Sequence, residues 1–369
     1  MCRLLGSVSP APATIEAVLG AGQRQVFTDM ARLHRDGWGT AWRDEAGRIQ
    51  RHVRPTTATG DARLEHTLAA EASTARIVHL RLATMGLACS TENTHPFLAD
   101  GMAFAHNGSL EPTGPIERLI GQEQLASLEG TTDSERYLAA VRTQVARGAS
   151  TFDALVDTVA TLRRAYPHRS LNALLLTGTE LFAVHASQDV PIPHGVFAAS
   201  GIPADHLPRH HVDAYYLMRT RRGEDGSILF ASSGLDITGW EPLPAETVTR
   251  VELATLAMET VPLDAAAPSA LVVRRLLLVE VRRQQLDQRV QRGVGAVAVG
   301  LEGDLLAVTD PQRQDAEDAG GVDALAGLRR QRHGHAGLRR RLAEQGRGPG
   351  VEADARRDGN GAFRHGAPS

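Results

Sequence analysis

Through the first two thirds of the chain, short stretches of apolar or alternating residues are separated by longer ones with helical spacing. Cys2–Ser9 is apolar and short enough for a strand. Arg76–Ala83 alternates over part of its length, and Met102–His106 runs into Asn107-Gly108, a hairpin-turn dipeptide. Leu171–Thr177 and Leu181–His185 flank Gly178 as the arms of a second hairpin, and Ser227–Ser232 is a further strand. Helical spacing occupies roughly 61–74, 115–128, 133–147 and 151–165. The third of these opens with Thr132-Asp-Ser-Glu135, an S/T-x-x-E capping box with apolar Tyr137, Leu138 and Val141 behind it. Strand hairpins interleaved with pairs of helices predict antiparallel sheets with helices packed outside them, an α+β layered body. The chain has no G-x-G-x-x-G and no phosphate-binding loop, so nucleotide binding lacks support.

Composition places the boundary of that body. Aromatic residues run from Phe27 to Trp240, and after that only Phe363 remains. Because aromatics supply much of the area that cores bury, the packed part is expected to span residues 2–262. Residues 263–369 begin with an Ala- and Pro-containing linker and are rich in Arg, Gly and Ala; they read as a largely disordered or poorly packed tail. The Asp and Glu interspersed among its arginines argue for a solvated segment rather than a nucleic-acid surface. A net charge of −3 exerts no overall pull toward nucleic acid or anionic membrane. All 40 cationic side chains are Arg, which excludes lysine chemistry. Two cysteines, at 2 and 89, make no disulfide framework, and there is neither a signal-peptide pattern nor a run of about 18 apolar residues. The expectation is a cytoplasmic protein without a membrane partner.

Chemistry concentrates at the start. A cysteine directly after the initiator Met becomes the first residue once Met1 is removed, and then carries a thiol and a free α-amine on one residue. An α-amine titrates near ~7.7–8.0, so it can accept a proton at neutral pH. Four other stretches bear on this. Arg35-Asp36-Gly37-Trp38-Gly39 reads alone as a polar turn presenting a Trp. Arg81 closes an otherwise apolar strand, where its guanidinium needs a carboxylate from the protein or from a ligand. Asn107-Gly108 is either a plain turn or an oxyanion hole built from a side-chain amide and a backbone N–H. Asp133 is either an ordinary acid complementing the helix dipole or an anchor for a ligand ammonium. Taken together these parts suit acyl transfer from a γ-glutamyl group: Arg81 on the α-carboxylate, Asp133 on the α-ammonium, and the amide carbonyl between Cys2 and the oxyanion donors.

With Cys2-Arg-Leu-Leu-Gly6, Asp36-Gly-Trp-Gly39, Arg81-Leu-Ala-Thr-Met-Gly86, Glu92-Asn-Thr-His-Pro-Phe97, Ala105-His-Asn-Gly108 and Thr132-Asp-Ser-Glu135, the chain resembles the class II glutamine amidotransferases over roughly residues 2–260. Among these it is most similar to the short, stand-alone branch that includes the ergothioneine-pathway γ-glutamyl hydrolase. The resemblance implies an N-terminal-nucleophile fold, a four-layer αββα sandwich of two antiparallel sheets. It implies Cys2 as nucleophile with its amine as base, Arg81 and Asp133 as glutamate anchors, and Asn107 with Gly108 as the oxyanion hole. It further implies that Thr84 and Gly86 line the pocket and that Asn93 and His95 shape the neighbouring loop. Leu82 and Met85 depart from the aromatic and the histidine that many members carry there, which bears on the substrate and not on the reaction class.

The expected activity is hydrolysis of glutamine or a small γ-glutamyl amide, without cofactor or metal. The alternatives are a glutaminase subunit delivering ammonia to a separate synthetase, or a silent interaction module on the same scaffold. His206, His210 and His211 fit no familiar metal spacing and read as a surface loop. Asp213–Tyr216 reads as the start of a packed strand, with the possibility that its tyrosines face a leaving amine; Cys89 reads as a tolerated thiol.

Overall fold

The computed structural model describes residues 2–84 and 86–264; what lies beyond Asp264, including nearly all of the expected tail, falls outside the described residues. Thirteen strands among them run in chain order as β1 (Arg3–Ala13), β2 (Trp38–Arg43), β3 (Ile49–Arg54), β4 (Ser73–Leu80), β5 (Phe97–Ala99), β6 (Met102–Asn107), β7 (Asn172–Leu176), β8 (Glu180–His185), β9 (Arg219–Arg222), β10 (Ile228–Ala231), β11 (Glu241–Pro242), β12 (Thr247–Glu252) and β13 (Met258–Pro262). They form two antiparallel sheets, one in the order β11-β9-β10-β1-β4-β2-β3 and the other β13-β12-β8-β7-β6-β5. The α-helices are α1 (Ile15–Leu19), α2 (Ala21–Asp29), α3 (Ala62–Ala70), α4 (Gly114–Glu117), α5 (Gln122–Ala126), α6 (Asp133–Ala146), α7 (Thr151–Ala165) and α8 (His194–Ala199). Among the described residues no helix is long and apolar enough to cross a membrane.

Strand alternation decides the layering. On the face where the sheets meet, Leu4, Val8 and Ile77 of the first sheet pack with Ala105, Leu174 and Leu181 of the second. The residues between them point outward: Leu5, Val78 and Leu80 pack under α1, α2 and α3 with Phe27 and Leu64. On the far side, Phe104, Leu175 and Phe182 pack under α6 and α7 with Tyr137, Val141 and Val159. A side-chain period of two thus feeds three apolar layers from two sheets, and the expected αββα sandwich is the result. Burying each large apolar side chain contributes about 1.5–3 kcal/mol. The sheets approach closely at β1, where a Cβ on Gly6 would lie 3.2 Å from Leu174 Cδ1.

Several local expectations change in the folded chain. Asn107-Gly108 is no hairpin: β6 pairs with β5 and with β7, whose sequence lies some sixty residues on, and the chain leaves the sheet at Gly108 toward α4. Trp38 is not presented on a turn but begins β2 fully buried, its Nε1–H donating to Asp61 at 2.9 Å. The helical stretch 115–128 splits into α4 and α5 around Gly121, whose N–H is taken up by Thr143 Oγ1 at 2.9 Å. Asp213–Tyr216 forms turns rather than a strand. Helices α1 and α2 and the hairpin β12–β13 carry weak periodicity in the sequence and were not expected from it. The capping box at Thr132 forms in part: Thr132 Oγ1 accepts from Glu135 N–H at 3.1 Å, while the Glu135 carboxylate turns to Glu129 and Gly130 N–H, both at 2.8 Å. That carboxylate pins the loop before α6 instead of closing on the cap residue.

Candidate active site

β1 is flanked by β4 and β10, and its first residue beyond Cys2 is Arg3, a fully buried cation in an otherwise apolar strand. Arg3 Nε–H donates to the Cys2 carbonyl at 2.6 Å, while Nη1 donates to Ser233 Oγ at 2.6 Å and Ser233 O at 2.9 Å. The guanidinium also lies 3.9 Å above the Tyr215 ring, a favourable cation–π seat for a desolvated charge. Cys2 is therefore held from behind as well as by the sheet. Its own residue is buried, 4% exposed.

The end of β6 meets it from the other sheet. Cys2 backbone N–H donates to Asn107 Oδ1 at 2.8 Å, which orients the amide so that Nδ2 carries the hydrogens elsewhere. That Nδ2 is buried and has no hydrogen-bond partner among the described residues. Gly108 follows, and a Cβ there would overlap the Ser170 carbonyl oxygen and the His106 ring. His106 is clamped between Ser134 Oγ at 2.9 Å and Ser170 O at 3.0 Å, and Ser170 Oγ donates to Asn107 O at 2.7 Å. Burial pushes His106 below the ordinary histidine value, with the Asp133 carboxylate and the Cys2 sulfur opposing it.

Burial also pushes the Cys2 thiol up, but the N-terminal ammonium, His79 and a backbone hydrogen bond at Leu82 outweigh it and hold the thiol well below its usual range. Sγ lies 3.9 Å from Leu82 O. His79 acts on the sulfur both electrostatically and as a side-chain hydrogen-bond partner. The His79 and His95 ring centres are 4.4 Å apart, and both rings are buried. Their seat is made by Gly39, where any Cβ would overlap the His95 carbonyl oxygen.

Arg81, at the end of β4, is 2% exposed and finds no carboxylate among the described residues. Nη1 donates to Asp36 O at 3.2 Å and Nη2 to Ala88 O at 3.4 Å. The Asp36 carboxylate, although in the adjacent turn, accepts instead from Ala83 N–H at 2.9 Å. Asp133, the first residue of α6, is buried and accepts from Leu110 N–H at 2.5 Å, with Ser134 Oγ at 3.4 Å on its other oxygen. Asn93 ties the loop after β4 to the approach of α6: Nδ2 donates to Ala88 O at 3.2 Å and Oδ1 accepts from Thr131 N–H at 2.8 Å.

Cys2 and Asn107 are thus joined directly, with Gly108 next in the chain, and Leu82, which follows Arg81, sets its carbonyl 3.9 Å from the sulfur. Asp133 reaches the group through His106 and Ser134. Among the described residues no hydrogen bond joins Thr84 or Gly86 to Cys2; Gly86 is exposed, with φ of +89°. Asn93 and His95 take part as loop ties and packing. Arg3, His79, His106 and Ser170 were absent from the expected set. For Arg3 the signal was available, since the buried-cation argument applied to Arg81 holds equally at position 3. The histidine loop divides: His206 is exposed, whereas His211 is fully buried with its ring centre 5.0 Å from that of Tyr215. No group of His, Cys, Asp or Glu able to hold a metal occurs among the described residues.

A family profile described as glutamine amidotransferases class-II matches residues 1–196, more than half of the chain. No curated protein matches the chain by sequence. Solved structures similar to it include a glutamine aminotransferase class-II domain protein from Silicibacter pomeroyi, at 18% identity over 71% of this chain and 99% of that one, with a TM-score of 0.48. Another is the glutamine phosphoribosylpyrophosphate amidotransferase from B. subtilis, 17% identical over 71% of this chain and 49% of its own, with a TM-score of 0.47. A predicted glutamine amidotransferase from Pseudomonas aeruginosa is 19% identical over 70% of this chain and 100% of its own, with a TM-score of 0.42.

Proposed function

Because the chain belongs to the class II glutamine amidotransferases, we propose that it cleaves glutamine or a small γ-glutamyl amide through a γ-glutamyl thioester on Cys2. The observation that carries this reading is the Asn107 side chain, which accepts from Cys2 N–H at 2.8 Å and leaves a buried Nδ2 without a partner among the described residues. A buried amide N–H left unmade costs about 1–3 kcal/mol, and a substrate oxyanion would take it up.

With Met1 removed, the Cys2 α-amine accepts the thiol proton, directly or through one water. Sulfur attacks the γ-carbonyl carbon, a C–S bond forms, and the oxyanion draws hydrogen bonds from Asn107 Nδ2 and Gly108 N–H, each worth about 3–4 kcal/mol. The C–N bond then breaks as the ammonium returns its proton to the leaving nitrogen. Water adds to the thioester carbonyl, the C–S bond breaks, sulfur regains a proton and glutamate departs. Arg81 suits the substrate α-carboxylate, being a buried guanidinium whose hydrogen-bond partners among the described residues are backbone carbonyls. Asp133 suits the α-ammonium, as a carboxylate fixed at the rigid start of α6.

The test is glutamate release by the full-length protein from glutamine and from several γ-glutamyl amides, with intact mass confirming loss of Met1. Cys2→Ala and Arg81→Ala are expected to abolish release. Near-normal turnover in either variant would refute the assignment.

A further inference from the structure

The buried side chains between Asp133 and the end of β6 can hold their protons in one arrangement only. A carbonyl oxygen accepts and never donates, so the His106 Nε2 that meets Ser170 O at 3.0 Å carries the ring proton. Burial holds this ring below the ordinary histidine value, which leaves it neutral at neutral pH. Its Nδ1 is then a bare acceptor, and the Ser134 hydroxyl donates to it at 2.9 Å. A hydroxyl has a single hydrogen. Spent on His106, that hydrogen is withheld from Asp133 Oδ1, which lies farther off at 3.4 Å.

Asp133 is thereby left half engaged. Its Oδ2 accepts from Leu110 N–H at 2.5 Å, while no donor other than the Ser134 hydroxyl is hydrogen-bonded to Oδ1 among the described residues. A buried carboxylate oxygen short of donors is costly until a ligand supplies one. The ring that causes this is itself fixed. Tyr137 meets it edge-on with ring centres 5.4 Å apart, and both nitrogens are engaged. On its far side the His106–Ser170 bond occupies the space that a Cβ on Gly108 would need, and Ser170 Oγ donates to Asn107 O at 2.7 Å. One imidazole therefore stands between the acid of α6 and the Asn107-Gly108 pair of β6.

Taking Asp133 as the seat of the substrate α-ammonium, as above, we propose that His106 is a positioning residue that draws the Ser134 hydroxyl away from Asp133 and so keeps Oδ1 open for that ammonium. Without the imidazole acceptor, the hydroxyl turns to Oδ1, and each substrate molecule has to displace it.

Glutaramate, which is glutamine without its α-amino group, isolates the effect. The experiment compares kcat/KM for ammonia release by the full-length protein from glutamine and from glutaramate. The wild type is expected to favour glutamine by about tenfold or more, the size of one charged hydrogen bond. In His106→Phe that ratio is expected to fall about fivefold, through the KM for glutamine, which is the worth of the one hydrogen bond the ammonium must displace. Losses caused by the freed Ser170 carbonyl fall on both amides and cancel in the ratio. His106→Phe/Ser134→Ala has no hydroxyl to compete and is expected to recover the wild-type ratio, which a merely structural role for His106 would not do. Ser134→Ala alone deletes one hydroxyl and is expected to keep the ratio, whatever its effect on rate; it decides the matter if His106→Phe does not fold. An unchanged ratio in His106→Phe, no recovery in the double variant, or a lowered ratio in Ser134→Ala overturns the role of His106 alone. Equal efficiency of the wild type on the two amides removes Asp133 as the ammonium seat and His106 with it. If neither amide yields ammonia, the reading of Cys2 itself falls.

Discussion

Asn107 is hydrogen-bonded to Cys2 by one end of its amide and left unpaired at the other: Oδ1 accepts from Cys2 N–H at 2.8 Å, while buried Nδ2 has no hydrogen-bond partner among the described residues. Asn107→Asp preserves the shape and the acceptor and removes the donor. It is expected to lower kcat for glutamate release roughly 10²–10³-fold with little change in KM. Steady-state kinetics on glutamine checks this; a variant altered only in KM would show that Nδ2 serves ground-state binding and not the oxyanion.

Gly108 has no room for a side chain, because a Cβ would run into the Ser170 carbonyl oxygen and the His106 ring. Both of those are fixed, Ser170 by Asn107 and His106 by Ser134. Gly108→Ala is expected to cost about 1–3 kcal/mol of stability, as overpacking of a rigid site does. Thermal unfolding would then show a Tm lower by several degrees, about 2–4 °C per kcal/mol in a domain of this size. An unshifted Tm would mean that the end of β6 relaxes freely.

Arg3 fixes the Cys2 carbonyl at 2.6 Å, and its other contacts among the described residues go to Ser233 and Tyr215. Its role is one of position. Arg3→Met is expected to lower kcat tenfold or more, on the order of what a small misplacement of a reacting group costs, while KM stays close to that of the wild type. Iodoacetamide labelling of Cys2, followed by intact mass, gives a second readout that depends on the placement and charge of the thiol. Unchanged kcat and an unchanged labelling profile against pH would remove Arg3 from the site.

Burial first, and then the charge of Arg3, hold His211 down to about 2. His34 and His95 also lie well below the ordinary value, with burial again the leading cause. In the unfolded chain these rings titrate near ~6.5. Below that pH the unfolded state binds protons that the folded state refuses, so stability is complete above about pH 6.5 and declines as the solution is acidified. Each such histidine contributes about 1.4 kcal/mol per pH unit to that slope. Denaturant titrations of His211→Asn between about pH 4 and 6 are expected to show a slope shallower by one proton. A slope identical to the wild type would show that His211 is protonated in the folded protein.

The parts of the site that were readable in the sequence are those whose chemistry is carried by neighbours in the chain. Cys2 beside the initiator Met, the Asn107-Gly108 pair and the Thr132 cap of α6 each announce themselves within a few residues. So does the alternation of β6, β7, β8 and β10, because a strand assigns its side chains to faces two residues at a time. Those local patterns determined an α+β body of antiparallel sheets, and the same motifs supported the family resemblance. Local pattern could not tell a hairpin turn at Asn107 from a strand end, since that depends on β6 pairing with Asn172–Leu176 across four intervening helices. Nor could it find the partners of Arg3 at Tyr215 and Ser233, or bury His211 out of an apparently polar loop. Such contacts are decided by which faces the sheets turn toward each other and by the cost of leaving a buried cation or amide unpaired. Sequence by itself pointed to Cys2 and to the layers around it; only the tertiary structure placed the buried amide of Asn107 against Cys2, because Cys2 leads into β1 of one sheet and Asn107 ends β6 of the other.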